Sequence, residues 1–221
     1  MKTVKFDIYE FEELSKEAKE KAILKDRDFN LVPLWWEFVY DDFVNLCSYL
    51  GIAVDKDVIS FEGFYSQGNG SGFNADVDII KLKNAIESEE WKIYAPMEKF
   101  NFCPHGIDRR VMGLIEKGGI QLNPKIINRN RGNGVIADLG GYPANGPRFH
   151  DYTYGEIDAL EEWLYSVATQ LNKFLYKSLE TEYDHLTSDE AVAEALTANG
   201  IPFTADGRSA IALENLIKTN N

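Results

Sequence analysis

FEGFYSQGNGSGF, residues 61–73, places four glycines and four aromatic rings in thirteen positions, with Asp76 and Asp78 close behind. The stretch reads either as a backbone cradle for an anion or as a reversal of the chain. Before it, Ile59, Phe61, Gly63 and Tyr65 alternate along one strand face; after it, Phe73, Ala75, Val77 and Ile79 do the same, with Asn74, Asp76 and Asp78 opposite. QGNGS between two period-two runs predicts a hairpin connection. A phosphate cradle needs N–H groups aimed at the anion, usually at a helix N-terminus, and often a lysine. This loop has no lysine, lacks the spacing of either common nucleotide fingerprint and leads into two carboxylates that repel anions. The reversal is therefore the preferred reading. Ser66, Gln67, Asn69, Asp76 and Asp78 are the residues that a ligand-contacting loop would use, and Asn74, Asp76 and Asp78 could offer oxygens to a hard cation.

Working outward, TVKFDIYEF (3–11) has the alternation of a half-buried strand, and Ser15 stands as an N-cap before KEAKEKAILKD. In PLWWEFVYDDFVNLCSYLGI, Pro33 suits a first helical turn. Trp35, Val39, Phe43, Leu46, Cys47 and Leu50 recur at helical spacing, Gly51 closes the helix in a left-handed conformation, and Glu37, Asp41 and Asn45 face outward. A helix is expected over IIKLKNAIESEEW, a short one over DRRVMGLIEKGG, and a second hairpin over PKIINRNRGNGVIADLGG with RNRGNG at its tip. Ile157, Leu160, Leu164, Val167, Leu171, Phe174 and Leu175 define a long amphipathic helix, with Asp158, Glu161, Glu162 and Lys173 on its other face and the sheet as the expected cover for the stripe. Thr187 and Glu190 form a capping box for SDEAVAEALTAN, which Gly200 stops; Asp206-Gly207 marks a turn before a last helix over SAIALENLIK. Strands joined by hairpins and interleaved with helices predict an α+β fold: an antiparallel sheet built from hairpins and packed by amphipathic helices. Residues 1–186 are expected as the main domain, with 187–221 a small helical appendage or part of the same body.

The 221 residues suffice for a sizeable core, and two cysteines are too few for a disulfide framework, which predicts a reducing compartment. The N-terminal residues lack a signal-peptide core and no run approaches a membrane span, so a soluble, intracellular chain without a membrane partner is expected. The net charge of -13 is unevenly placed. Residues 37–90 hold 11 acids and 3 bases, residues 151–190 hold 10 acids and 2 bases, and residues 92–148 reverse the sign with 4 acids and 9 bases. The simpler reading is a set of solvated faces; the sharper one is an acidic surface offered to a basic partner. Free duplex nucleic acid is disfavoured, since phosphates would meet like charge. Arg109, Arg110, Arg129 and Arg131, with Lys125, give the middle its basic character and are the candidates for an anion contact.

Cys103 and His105 in CPH pair a thiol with an imidazole, but zinc needs four ligands and only Cys47, His150 and His185 remain. GxSxG, HExxH and GxxxxGK[ST] do not occur. No catalytic residue, metal or cofactor is therefore assigned, and the sequence leans away from an enzyme.

YEFEELSKEAKEKA, WWEFVYDDFVNLCSYLGI, FEGFYSQGNGSGF and SDEAVAEALTANGIPFTADGR together resemble an uncharacterised family seen largely in bacteriophage genomes and sometimes labelled antitoxin-like. Its motif, F-x-G-F-x-SQG-[DN]-G-x-x-F, is met by Phe61, Gly63, Phe64, Ser66, Gln67, Gly68, Asn69, Gly70 and Phe73. The resemblance implies a phage or mobile-element origin and a place in the host cytosol. With the acidic surface, it raises the expectation of an accessory protein that binds and inhibits a host defence, toxin or nucleic-acid-processing protein without catalysis. The contact residues expected are Glu37, Asp41 and Asp42 on one helix and Asp158, Glu161 and Glu162 on another, facing a basic groove. The alternative is a small-ligand or divalent-cation-binding domain, enzymatic or not, using the hairpin at 66–78.

Overall fold

In chain order the regular elements are α1 (Lys16–Lys25), α2 (Glu37–Tyr49), β1 (Ile52–Val54), β2 (Ser60–Glu62), β3 (Gly70–Gly72), β4 (Ala75–Val77), α3 (Ile79–Ser88), α4 (Arg109–Glu116), β5 (Lys125–Asn128), β6 (Val135–Asp138), α5 (Asp151–Leu186) and α6 (Asp189–Ala198). The structure is a computed structural model describing residues 7–95, 100–102, 108–129, 134–140 and 151–213, the side chains of 151 and 152 excepted. All strand pairs are antiparallel and the fold is α+β. Contacts divide the chain into two compact units, Met1–Trp35 with Thr181–Asn221, and Trp36–Glu180. Residues 1–35, which the sequence grouped with the main domain, thus group with the C-terminal segment.

In the first unit, Ser15 accepts a hydrogen bond from the Ala18 amide at 3.3 Å and starts α1 as expected. Phe11, Leu14, Ala18 and Ala22 are buried together with Val192, Leu196 and Phe203. Tyr9 and Phe203 exchange backbone hydrogen bonds of 2.8 Å each way, a single bridge where a strand was expected; residues 3–6 of that stretch lie outside the described residues. Gly207 has φ +80°, and a Cβ there would stand 2.2 Å from the Ala18 carbonyl oxygen, so the turn is open to glycine alone. Arg27 donates to the Thr187 carbonyl at 2.9 Å and to Asp189 at 2.6 Å, tying α1 to the start of α6. The cap of α6 is Ser188, not Thr187: Ser188 accepts from the Ala191 amide at 3.2 Å, while the Thr187 hydroxyl donates to the Tyr183 carbonyl at 2.8 Å. The Thr187 hydroxyl is turned back to the helix that precedes it, and because α6 starts at Asp189 the residue placed to cap it is Ser188. Gly200 stops α6 at φ +57°. Of the last expected helix, residues 211–213 are helical, and residues 214–218 fall outside the described residues.

In the second unit, α2 begins at Glu37 rather than at Pro33, because Leu34 takes φ +68° and turns the chain first. Tyr40, Phe43, Leu46 and Cys47 form its buried face, and Gly51 closes it at φ +78°. The four-stranded sheet runs β1-β4-β5-β6, with Ile52 opposite Val77, Ala75 opposite Ile126 and Ile127 opposite Ile136. β5 and β6 are the second hairpin; residues 130–133 of its expected tip lie outside the described residues. Phe73 and Phe43, both buried, meet edge to face at 5.0 Å, a contact adding about 0.5–1.5 kcal/mol to the area they bury. Asp78 caps α3 by accepting from the Lys81 amide at 2.9 Å.

The glycine-rich hairpin exists, but the strand expected before it ends at Glu62, since Gly63 and Tyr65 take positive φ in the loop, and the single strand expected after it divides in two. β3 pairs with β2 in a separate two-stranded sheet, whereas β4 joins β1 and β5. Asn74 makes the change of sheet: its backbone carbonyl accepts from Asp55 at 3.0 Å while its side-chain oxygen accepts from the Asn128 amide at 2.7 Å. Side-chain amide chemistry at one position replaces the ladder that a continuous strand would have made. Within Trp36–Glu180, the apolar stripe of α5 is buried at Ile157, Leu160, Leu164, Val167, Leu171 and Leu175. Its polar anchors reach the β2–β3 hairpin, the Phe102 carbonyl through Trp163 at 2.8 Å and the Leu139 amide through Glu161 at 3.1 Å. Among the described residues, no helix is long and apolar enough to cross a membrane.

Candidate functional site

Ser71, in the middle of β3, is fully buried, and its hydroxyl lies 2.9 Å from the Asn172 side-chain oxygen and 3.0 Å from the Asn172 carbonyl on α5. Asn172 returns a bond from its side-chain NH2 to the Ser71 carbonyl at 2.9 Å. Next to it, Gly72 faces Asn128 so closely that a Cβ would lie 1.9 Å from the Asn128 side-chain oxygen. The Asn128 amide nitrogen donates to the Ser60 hydroxyl at 2.8 Å across the hairpin. These glycine and serine positions therefore serve close backbone approach and fastening, which answers the choice between cradle and reversal in favour of reversal.

The loop ahead of β3 presents rings. Trp36 meets Phe61 edge to face at 5.6 Å, Phe61 stacks on Phe64 at 5.8 Å and 27°, and Phe64 packs on Tyr176 of α5 at 5.5 Å. The Tyr176 hydroxyl donates to the Gly63 carbonyl at 2.9 Å, holding the loop by its backbone. Burial first and Glu180 second push that phenol above its usual pKa, so it stays a donor. Tyr65 follows at φ +66° and is 72% exposed. A non-glycine residue in the left-handed region is held at a cost of about 1–3 kcal/mol by the structure around it.

Beside these rings, Trp36, Tyr40, Ile59 and Phe61 wall a surface recess of about 510 Å³, and Glu37, Lys56, Asp57 and Ser60 complete it. Lys56 sits on a 3-10 turn, Lys56–Val58, begun by Asp55, whose carboxylate accepts from the Asp57 amide at 3.2 Å. Its ammonium pairs with Glu37 at 2.7 Å and with Asp41. Hydrogen bonding to Asp41 and then to Glu37 raises the Lys56 pKa, the direction expected for a cation held by two carboxylates. The Tyr40 phenol is raised to about 12 by burial and, second, by Glu37. Both groups keep their protons throughout the neutral range.

The expected contact residues thus divide. Glu37 and Asp41 are neutralised by Lys56, and Glu161 accepts from the Leu139 backbone. Asp42, Asp158 and Glu162 are exposed and make no ion pair among the described residues. Of the ligand-loop residues, Ser66 and Gln67 are exposed, Asn69 closes the turn by donating its backbone N–H to the Ser66 carbonyl at 3.3 Å, Asp76 pairs with Lys125 at 3.7 Å, and Asp78 caps α3. Among the described residues, no group of three or more His, Cys, Asp or Glu could hold a metal ion. Arg109 and Arg110 lie in the first turn of α4, where the Asp108 side chain accepts from the Arg110 amide and Glu156 accepts from the Asp108 amide at 2.9 Å. Those carboxylates weaken an anion site there. Arg129 is exposed at the end of β5, and Arg131, Cys103, His105 and His150 lie outside the described residues.

The recess and the Tyr176 contact were not anticipated from sequence. One signal was available: Lys56 is one of only three bases in the acidic block 37–90, flanked by Asp55 and Asp57. A cation flanked on both sides by acids is the residue to ask about first. No curated protein and no solved structure matches the chain significantly. The model of one family, described as Domain of unknown function (DUF8835), matches residues 35–189, more than half of the sequence and all of the motif and ring surface; the chain belongs to that family.

Proposed function

We propose that the protein is a non-catalytic binding protein that inhibits another protein by docking against a basic surface of it. The observation that carries this reading is the ring row from Trp36 through Phe61 and Phe64 to Tyr65, braced by Tyr176 and ending in an exposed tyrosine under backbone strain. Rigid aromatic side chains are the usual energetic anchors of protein interfaces, and strained positions persist where a function depends on them. Carboxylates at Asp42, Asp158 and Glu162 supply negative charge that steers a basic partner and makes the encounter salt-dependent. The resemblance to phage-borne proteins favours a host defence, toxin or nucleic-acid-processing protein as the partner, met in the host cytosol. The alternative, a ligand or divalent cation at the hairpin, would require Asp78 to leave its helix cap and Asp76 to leave Lys125.

The test is capture from bacterial lysate at rising salt, with wild-type protein beside Tyr65→Ala and a triple Asp42→Asn, Asp158→Asn, Glu162→Gln variant. A partner retained at low ionic strength, weakened at least tenfold by Tyr65→Ala and less by the charge variant, is expected. No partner at low ionic strength, or equal capture by Tyr65→Ala, ends the reading.

A further inference from the structure

We propose that the recess between α2 and β2 receives an arginine side chain from a basic protein segment, and that Lys56 is an internal stand-in for it. The inference rests on the binding reading above and names the chemistry that the partner brings. Four features lead to it. Half of the lining is apolar, with Trp36, Tyr40, Ile59 and Phe61 set beside Glu37, Lys56, Asp57 and Ser60 around a space of about 510 Å³, large enough for a side chain of that size. Ring faces attract a cation, and a guanidinium stacks on them better than an ammonium does. The lining holds Glu37 and Asp57 against a single base, Lys56, which also pairs with Asp41 nearby, so the recess is complementary in sign to a cationic guest.

Lys56 itself supplies the fourth feature, because its ammonium already bridges Glu37 and Asp41 and so demonstrates that the two carboxylates converge on one cation. That pairing is exchangeable. The Lys56 side chain is 32% exposed and its partners 41% and 57%, a degree of hydration at which an ion pair is weakly held. An arginine fork can take both carboxylates while its plane lies along a ring, which a lysine point charge on a short 3-10 turn cannot do. The acidic balance of residues 37–90 raises the local concentration of such a guest.

The experiment titrates a fluorescein-labelled, acetylated (Gly-Arg)4 amide peptide into the full chain at low ionic strength and follows anisotropy. Lys56→Ala empties the carboxylates and is expected to tighten binding at least tenfold. Lys83→Ala removes one charge elsewhere on the same unit and is expected to change binding less than twofold, separating the recess from general charge. Glu37→Gln with Asp41→Asn, placed in the Lys56→Ala background, is expected to abolish the gain. Should Lys56→Ala melt early, Lys56→Gln repeats the measurement with the stem retained. Equal binding by wild type and Lys56→Ala, a gain matched by Lys83→Ala, or a gain that survives loss of Glu37 and Asp41 overturns the proposal. If lysate capture still depends on Tyr65 while the peptide shows no preference, only the arginine recess falls and the binding reading stands.

Discussion

Residues 70–73 and residues 64–67 belong to the same glycine-rich stretch and end in opposite circumstances. Ser71, Gly72 and Phe73 are buried, with Ser71 fastened to Asn172 and Gly72 pressed on Asn128. Tyr65, Ser66 and Gln67 are exposed, and their loop is held from beneath by Tyr176. The difference teaches that one motif can carry two constraints: the second half demands small residues for the fold, and the first half holds a ring outward for contact. A shared composition does not imply a shared purpose.

Three substitutions set these halves against each other. Gly72→Ala has the largest expected effect, because the Asn128 side chain must leave and break its bond to Ser60; overpacking of this kind is expected to destabilise by about 3 kcal/mol. Chemical denaturation reads it directly, and a midpoint equal to wild type would break the comparison on its buried side. Ser71→Ala comes next. It leaves the Asn172 side-chain oxygen without its hydroxyl partner, and stability should fall by about 2 kcal/mol. Hydrogen exchange at the β2–β3 amides, faster than in wild type, would locate the loss at the hairpin. Tyr65→Gly has the smallest expected effect on stability, within about 1 kcal/mol and on the stabilising side, since glycine relieves the left-handed strain but has more chain entropy to lose. Its melting midpoint should lie at or slightly above that of wild type while partner capture is lost. A large destabilisation would show that the exposed half is also structural.

What could be read from the sequence was what neighbouring residues decide among themselves. The Ser15 cap, the left-handed Gly51, the burial of Phe43, Leu46, Cys47 and Leu50 along α2 and its C-cap, though not of Trp35 and Val39, where Tyr40 is buried instead, and the alternation of Phe73, Ala75 and Val77 all depend on spacings of four residues or fewer. The candidate site depends on longer reach. Lys56 pairs with acids fifteen and nineteen residues earlier, and no periodicity records that a turn brings them together. The division of the strand at Asn74 follows from an Asn128 amide fifty-four residues away. Likewise Arg27 meets Asp189 across 162 residues, and Phe11, Leu14, Ala18 and Ala22 share a core with Val192, Leu196 and Phe203, so the N-terminal segment groups with the C-terminal one and not with its sequence neighbours. The cap of α6 shows a local failure of a different kind, for two hydroxyls stood side by side and the helix begins one residue later than a Thr187 cap requires.

The reciprocal bonds between Ser71 and Asn172 join residues 101 positions apart, and this has a consequence during synthesis. A ribosome adding residues at about 5–20 per second exposes the β2–β3 reversal on the order of ten seconds before its fastener emerges. Through that interval the nascent hairpin has its turn but no clasp. The chain must keep a short, glycine-rich ribbon available until the late helix arrives.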